Sequence, residues 1–187
     1  MGLIKAFGST DAEVVREHGP RVYALLRRLF GPSDVVDDVF QNVFIEVLRS
    51  RPLFAGRSSP RTWIHRIALN VAYQEMRQQY RRHDSRLPPD VLLPENHDAH
   101  HEAALRQRER WLYAALAHLP PKQRTAVVLH DLDGRSLRTI ADDLGLPLQT
   151  VASQVRLGRA RLSDLLAGLR DPASARVADQ QPDEEEA

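Results

Sequence analysis

The stretch GRSLRTIADDLGLPLQTVASQVRLGR, Gly134 to Arg159, decides the fold. Ile140, Ala141 and Leu144 share one face of a first helix at helical spacing. Gly145 fits a sharp turn, because glycine reaches positive φ without steric cost. Pro147 cannot continue the first helix but is tolerated where a second begins. Val151 and Val155, four residues apart, form the inner face of that second helix. Its outer face offers Gln149, Ala152, Ser153, Arg156 and Arg159. This pattern reads as a helix-turn-helix. Small, amide and forked guanidinium side chains suit base edges and phosphates in a major groove.

Working outward, the chain has 187 residues, enough for one domain or two small ones. Its 27% charged and 42% hydrophobic residues describe a globular chain. The net charge of +1 gives no global field toward nucleic acid, so any basic surface must be local. Cysteine is absent, which excludes disulfides, thiol catalysis and Cys-ligated zinc, and fits a cytoplasmic location. No apolar run reaches the length of a membrane span, and no signal peptide is evident.

Strand periodicity is absent and the pattern is helical throughout. Residues 11–30 carry an apolar stripe of Val14, Val15, His18, Val22, Leu25, Leu26 and Leu29, with a break or kink expected at Gly19-Pro20. Residues 34–50 bury Val36, Val39, Phe40, Val43, Phe44, Val47 and Leu48. Asp34 to Glu46 holds four carboxylates and no basic residue. Within it Asp34, Asp38 and Gln41 align as a strip suited to a basic helix. Residues 51–59 read as an ordered loop, and Pro60 opens a long helix to Arg82. That helix has five arginines against one acid, Glu75, and so carries +4, which suits contact with a nucleic-acid backbone.

Residues 83–101, with Pro88-Pro89 and Pro94, read as a flexible linker that could span about 60 Å when extended. His97, His100, His101 and Glu102 form a weak metal-like cluster there, and no metal or other cofactor is expected. Helical pattern resumes over 102–170, with a stop at Leu119-Pro120-Pro121. The acidic tail 171–187 reads as disordered. The expected fold is therefore all-α: a domain over 1–82, a linker over 83–101 and a helix-turn-helix domain over 102–170. No constellation of catalytic groups appears, so a non-enzymatic role is expected.

The combination resembles the bacterial RNA polymerase sigma factors of the extracytoplasmic function group, within the sigma-70 family. Asp37-Asp38-Val39-Phe40-Gln41-Asn42-Val43-Phe44 resembles the family's polymerase-clamp helix, and the segment from Ser59 to Asn70 its −10 reading segment. Leu119-Pro120-Pro121-Lys122-Gln123-Arg124 and the helix-turn-helix resemble its −35 reading domain. The resemblance implies a protein that binds core RNA polymerase, at the clamp coiled coil and the flap region, and directs it to promoter DNA. It also implies an anti-sigma factor as a partner, and no insertion into a membrane.

Residue by residue, the resemblance assigns Asp34, Asp38, Gln41 and Asn42 to the polymerase clamp. It assigns Phe54, Ser58, Ser59, Arg61, Trp63, Arg66, Asn70 and Arg77 to the −10 element, with a flipped base held near Phe54 to Ser59. The −35 contacts would be Arg138, Gln149, Thr150, Ser153, Arg156 and Arg159. The chain departs from the family at Ala152, Gln154 and Leu157, where a basic residue is frequent, at Arg156, where a small polar residue is common, and at Asn42, where an acid is frequent. Fewer phosphate-contacting cations weaken the salt-dependent part of binding. The other reading is a sigma-mimicking protein that sequesters an anti-sigma factor without needing to read DNA.

Overall fold

The computed structural model describes residues 10–82 and 101–170. Among them the structure is helical, without strands. Helix α1 spans Asp11–Phe30, α2 Val35–Ser50 and α3 Pro60–Arg82, with a 3-10 turn, Arg51–Leu53, between α2 and α3. In the second group α4 spans His101–Ala117, α5 Pro121–Val127, α6 Leu137–Leu144 and α7 Leu148–Arg170. The linker beyond Arg82 and the acidic tail lie outside the described residues, and so does the metal-like histidine cluster apart from the backbone of His101 and Glu102.

Local chemistry explains the helix ends. Thr10 Oγ1 accepts the Glu13 amide and Glu13 Oε2 accepts the Thr10 amide, a reciprocal cap at the start of α1. Ser59 and Ser136 cap α3 and α6 from one side only, each accepting the amide three residues on. Gly145 ends α6 at φ 63° and ψ 33°, the left-handed conformation expected of the turn.

The break expected at Gly19-Pro20 does not occur: α1 runs through Pro20 without interruption. Proline removes one intrahelical bond, but Val14, His18, Val22, Leu25, Leu26 and Leu29 are buried on both sides of it. Burial of that continuous stripe outweighs the local penalty. Gly19 lies under the Phe40 ring, leaving little room for a side chain. The helix expected over Pro121 to His130 changes character at Val128, where a π-helical turn carries the chain to Leu132 and brings the Asp133 amide onto the Val128 carbonyl.

The core positions match the sequence pattern in both groups. Leu26, Leu29, Val36, Val43, Val47, Ile64, Leu69 and Met76 are buried in the first. In the second, Leu116, Leu119, Val128, Leu129, Ile140 and Val151 are buried. The two groups pack on one another, and a single apolar cluster runs through both. Thr125 reaches the Met76 sulfur at 4.0 Å across the seam, and Tyr113 lies flat against Gly31.

Gly158, in the middle of α7, lets that helix close on α5. A Cβ there would meet Val127 Cγ2 at 2.6 Å and the Gln123 carbonyl oxygen at 3.3 Å. Alanine gains about 1 kcal/mol of helix propensity over glycine. Overpacking typically costs about 1–3 kcal/mol, and neither a β-branched side chain nor a helical carbonyl can move aside easily. Gly158→Ala should therefore destabilise the chain by up to about 2 kcal/mol, read as a lower midpoint in urea unfolding; an equal or higher midpoint would show that the α5–α7 contact relaxes.

Candidate functional site

Three exposed surfaces carry the residues singled out from the sequence. On α2, Asp38, Gln41 and Asn42 are exposed, as is Asp34 just before the helix. They lie opposite the buried Val36, Val39, Val43 and Val47. Ile45, 63% exposed, falls on the same strip one turn beyond Gln41 and Asn42. The sequence reading left it out; its position between the buried phases at Val43, Phe44 and Val47 was the available signal.

The loop after α2 behaves differently from expectation at one residue. Phe54 is a core side chain, only 7% exposed, with its ring centroid 5.3 Å from that of Trp63 in an edge contact. It supports the loop from beneath. Arg57 and Ser59 are exposed on top, while Ser58 is half-buried. Arg57 was not among the expected contacts, and its place in a loop without periodicity offered no way to phase it. Arg51 Nη1 bonds Asp11 Oδ1 at 3.1 Å and ties the loop to the start of α1.

Along α3, Arg66, Asn70 and Arg77 are exposed on one side at helical spacing, with Trp63 half-buried at their N-terminal end. Arg61 is exposed as well. Arg66 is engaged: its Nη2 donates to the Asp142 carbonyl at 3.0 Å. On α6 and α7, Arg138, Gln149 and Arg156 are exposed, and Thr150 and Ser153 are half-buried. The Ser153 hydroxyl donates to the Thr150 carbonyl at 2.8 Å, leaving its lone pairs free to accept. Arg159 grips both carboxylate oxygens of Asp131 and holds that carboxyl below the usual aspartate range. A phosphate would have to compete with Asp131 for it.

The seam between the groups gathers charged residues that the sequence reading did not single out. Arg124 is buried and donates from Nε and Nη2 to the Leu29 carbonyl at 3.2 and 2.9 Å. Its guanidinium carbon lies 5.3 Å from the Phe30 ring centroid. Burial pushes its pKa down to about 10, so it stays charged at neutral pH. Arg135 donates to Asp133 and Asp143, both at 2.6 Å, and its Nη1 lies 2.8 Å from His65 Nε2. Arg28 also reaches Asp133. The partners across the seam are 70 to 105 residues apart in sequence, so no local pattern pairs them.

Among the described residues no His, Asp and Glu side chains group as a metal site, and no helix is long and apolar enough to cross a membrane. The geometry provides an acidic and amide strip, a basic helix and an exposed helix-turn-helix. That arrangement supports macromolecular docking.

Residues 14–82 match the sigma-70 region 2 family and residues 109–162 match sigma-70 region 4. The chain is 37% identical over 163 residues to the ECF RNA polymerase sigma factor SigE of Mycolicibacterium smegmatis, a match covering 83% of this chain and 61% of that protein. It is 31% identical over 170 residues to the ECF RNA polymerase sigma-E factor of Haemophilus influenzae, covering 83% and 87%. Two solved structures share the fold. CnrH in complex with the cytosolic domain of CnrY matches with a TM-score of 0.56 and 24% identity, over 89% of this chain and 95% of that one. RpoE in complex with the anti-sigma factor NepR from Bartonella quintana matches with a TM-score of 0.53 and 22% identity, over 83% and 96%.

The burial of Phe54 carries a prediction. Phe54→Ala should lower stability by roughly 3 kcal/mol, the low end of Phe→Ala costs in cores. Thermal unfolding followed by circular dichroism reads this directly. A midpoint like that of wild type would show that the ring is dispensable for packing and free to serve a ligand.

Proposed function

We propose that this chain, which belongs to the extracytoplasmic function group of the sigma-70 family of RNA polymerase sigma factors, docks on core polymerase through the exposed α2 strip and brings it to promoters. The observation that carries this reading is the free strip of Asp34, Asp38, Gln41 and Asn42, because nothing in the fold requires those side chains on that face. The exposed Ile45 adds an apolar contact at its end. An apolar side chain beside polar and charged ones suits a protein partner. Catalysis belongs to the polymerase, and the site of action is the cytoplasm, where polymerase works.

DNA reading divides between the two groups. Ser58, Ser59, Arg61, Trp63, Arg66, Asn70 and Arg77 face the −10 element, and the loop over Phe54 receives an unstacked base. Unstacking costs a few kcal/mol, which a preformed pocket must return. Phe54 contributes by holding the loop, with Trp63 the aromatic nearer the surface. Arg138, Gln149, Thr150, Ser153, Arg156 and Arg159 serve the −35 element. Gln149 and Arg156 are the exposed forks able to read base edges. Because its structural neighbours were solved bound to CnrY and to the anti-sigma factor NepR, an anti-sigma factor is the third proposed partner.

Asp38→Arg tests the strip. Like charges brought together at an interface cost several kcal/mol, so affinity for core polymerase should fall at least tenfold with an unchanged helical spectrum. Unchanged affinity would remove the strip from the interface. For the −35 helix, Arg156→Ala should cost about 1–3 kcal/mol at one promoter position if the guanidinium pairs with guanine. A uniform loss across sequences, with the salt slope reduced by about one, would make it a phosphate contact. In vitro transcription with core polymerase and a promoter library tests the whole reading. Polymerase binding without any promoter-specific transcript would favour the sigma-mimicking alternative.

A further inference from the structure

The polar half of the seam closes on the helix proposed to read the −10 element. His65 and Arg66 of α3 face the helix-turn-helix: Arg66 donates to the Asp142 carbonyl at 3.0 Å, and His65 Nε2 lies 2.8 Å from Arg135 Nη1 and 3.3 Å from Asp143 Oδ2. Arg135 is the centre of the group. One guanidinium engages Asp133 on its own side, Asp143 on α6 and His65 across the seam. Asp133 in turn accepts Arg28 of α1, so the network bridges the two groups twice. The α2 strip takes no part in it and remains exposed.

We propose that Arg135, His65, Asp133 and Asp143 form an intramolecular clasp that holds the helix-turn-helix against the −10 helix, and that acid releases it. The closed chain keeps its polymerase-docking strip free while Arg66 is occupied and two aspartates stand beside α3, where a phosphate backbone would be repelled. That consequence for DNA rests on the proposed function; the clasp itself does not.

The acid sensitivity follows from what surrounds His65. Burial and the Arg135 guanidinium depress its pKa, with Arg21 of α1 adding to the effect. Asp143 acts in the opposite sense and is outweighed. Arg61 on its own helix repels Arg21, while Arg66 and Arg28 engage the neighbouring Asp142 carbonyl and Asp133. Asp133 is already committed to Arg135 and Arg28, and Asp142 bonds α3 through its carbonyl. A histidine whose pKa is lower in the closed state than in the open one favours closure while neutral. Closure is then complete above the open-state value near 6.5 and weakens as pH falls through it toward the depressed closed-state value. The surface portion of the network also weakens as salt screens it.

The absence of native cysteine makes the test clean. Arg49→Cys on α2 and Arg161→Cys on α7, both exposed, would carry a donor–acceptor dye pair on the full chain without polymerase or DNA. A high-transfer population is expected at pH 7.5 in low salt. Arg135→Ala should shift it to low transfer at the same pH with helical content retained. The wild type should shift between pH 7 and 5.5, and His65→Gln should lose that pH step. Equal transfer in wild type and Arg135→Ala would overturn the clasp. A pH step that survives His65→Gln would overturn its assignment to His65. Because neither readout involves promoter or polymerase, the clasp can fail while the sigma-factor reading stands, and the reverse.

Discussion

A buried guanidinium sets the register between the two helical groups. Arg124 sits midway along the short α5 and spends Nε and Nη2 on a single acceptor, the Leu29 carbonyl in the last turn of α1. Stripping a cation of water costs several kcal/mol, and no carboxylate pairs with it among the described residues. What compensates is the end of α1, where unpaired carbonyls carry partial negative charge, together with the Phe30 ring face. The bond is therefore directional. It places α5 at one point along α1, and Tyr113 of α4 packs against Gly31 at the end of the same helix.

Once that register is set, the remaining seam residues have little choice. The π-helical turn after α5 projects Asp131, Asp133 and Arg135 from a short segment. Asp131 faces α7 and takes Arg159, while Asp133 and Arg135 face α1 and α3. A regular α-helix would have ended its hydrogen bonding one residue earlier in each ring and turned these side chains by a different angle. The same turn therefore supplies a brace within the helix-turn-helix group and a bridge to the other group.

The elements were legible in the sequence because their evidence is local. The apolar phases of α1, α2 and α3 and the turn at Gly145 depend on neighbours within four residues. Two features escaped for a physical reason. Pro20 reads as a break or a kink; the helix does not break, because the stripe on both sides of it is buried, and that burial is tertiary. The burial of Phe54 is not legible either: the family resemblance assigns it to the −10 loop, and a phenylalanine in a loop of arginines and serines has no period to assign it to the core. The seam was invisible altogether: Arg124 and Leu29 are 95 residues apart, and His65 and Arg135 are 70 apart. The composition gave one hint, since arginine supplies nearly all the basic residues and forked donors favour such multiply bonded sites.

The seam need not be strong to matter. The connection from α3 to α4 keeps the two groups in one chain, so they meet at an effective concentration on the order of millimolar. An interface that would hardly associate between separate molecules is then largely closed within one. Pairs with one partner largely in solvent, such as Arg28 with the nearly buried Asp133, are weakened by screening on the exposed side. The half-buried Arg135 network contributes more, because its partners orient one another and lose less to solvent. A partner that binds the open form has only to exceed that margin. Shifting a two-state equilibrium from mostly closed to mostly open takes about 5.5 kcal/mol of differential binding, and a large interface supplies that readily. A seam built of buried cations and shared carboxylates, with few large apolar side chains at its polar edge, keeps the margin within that reach.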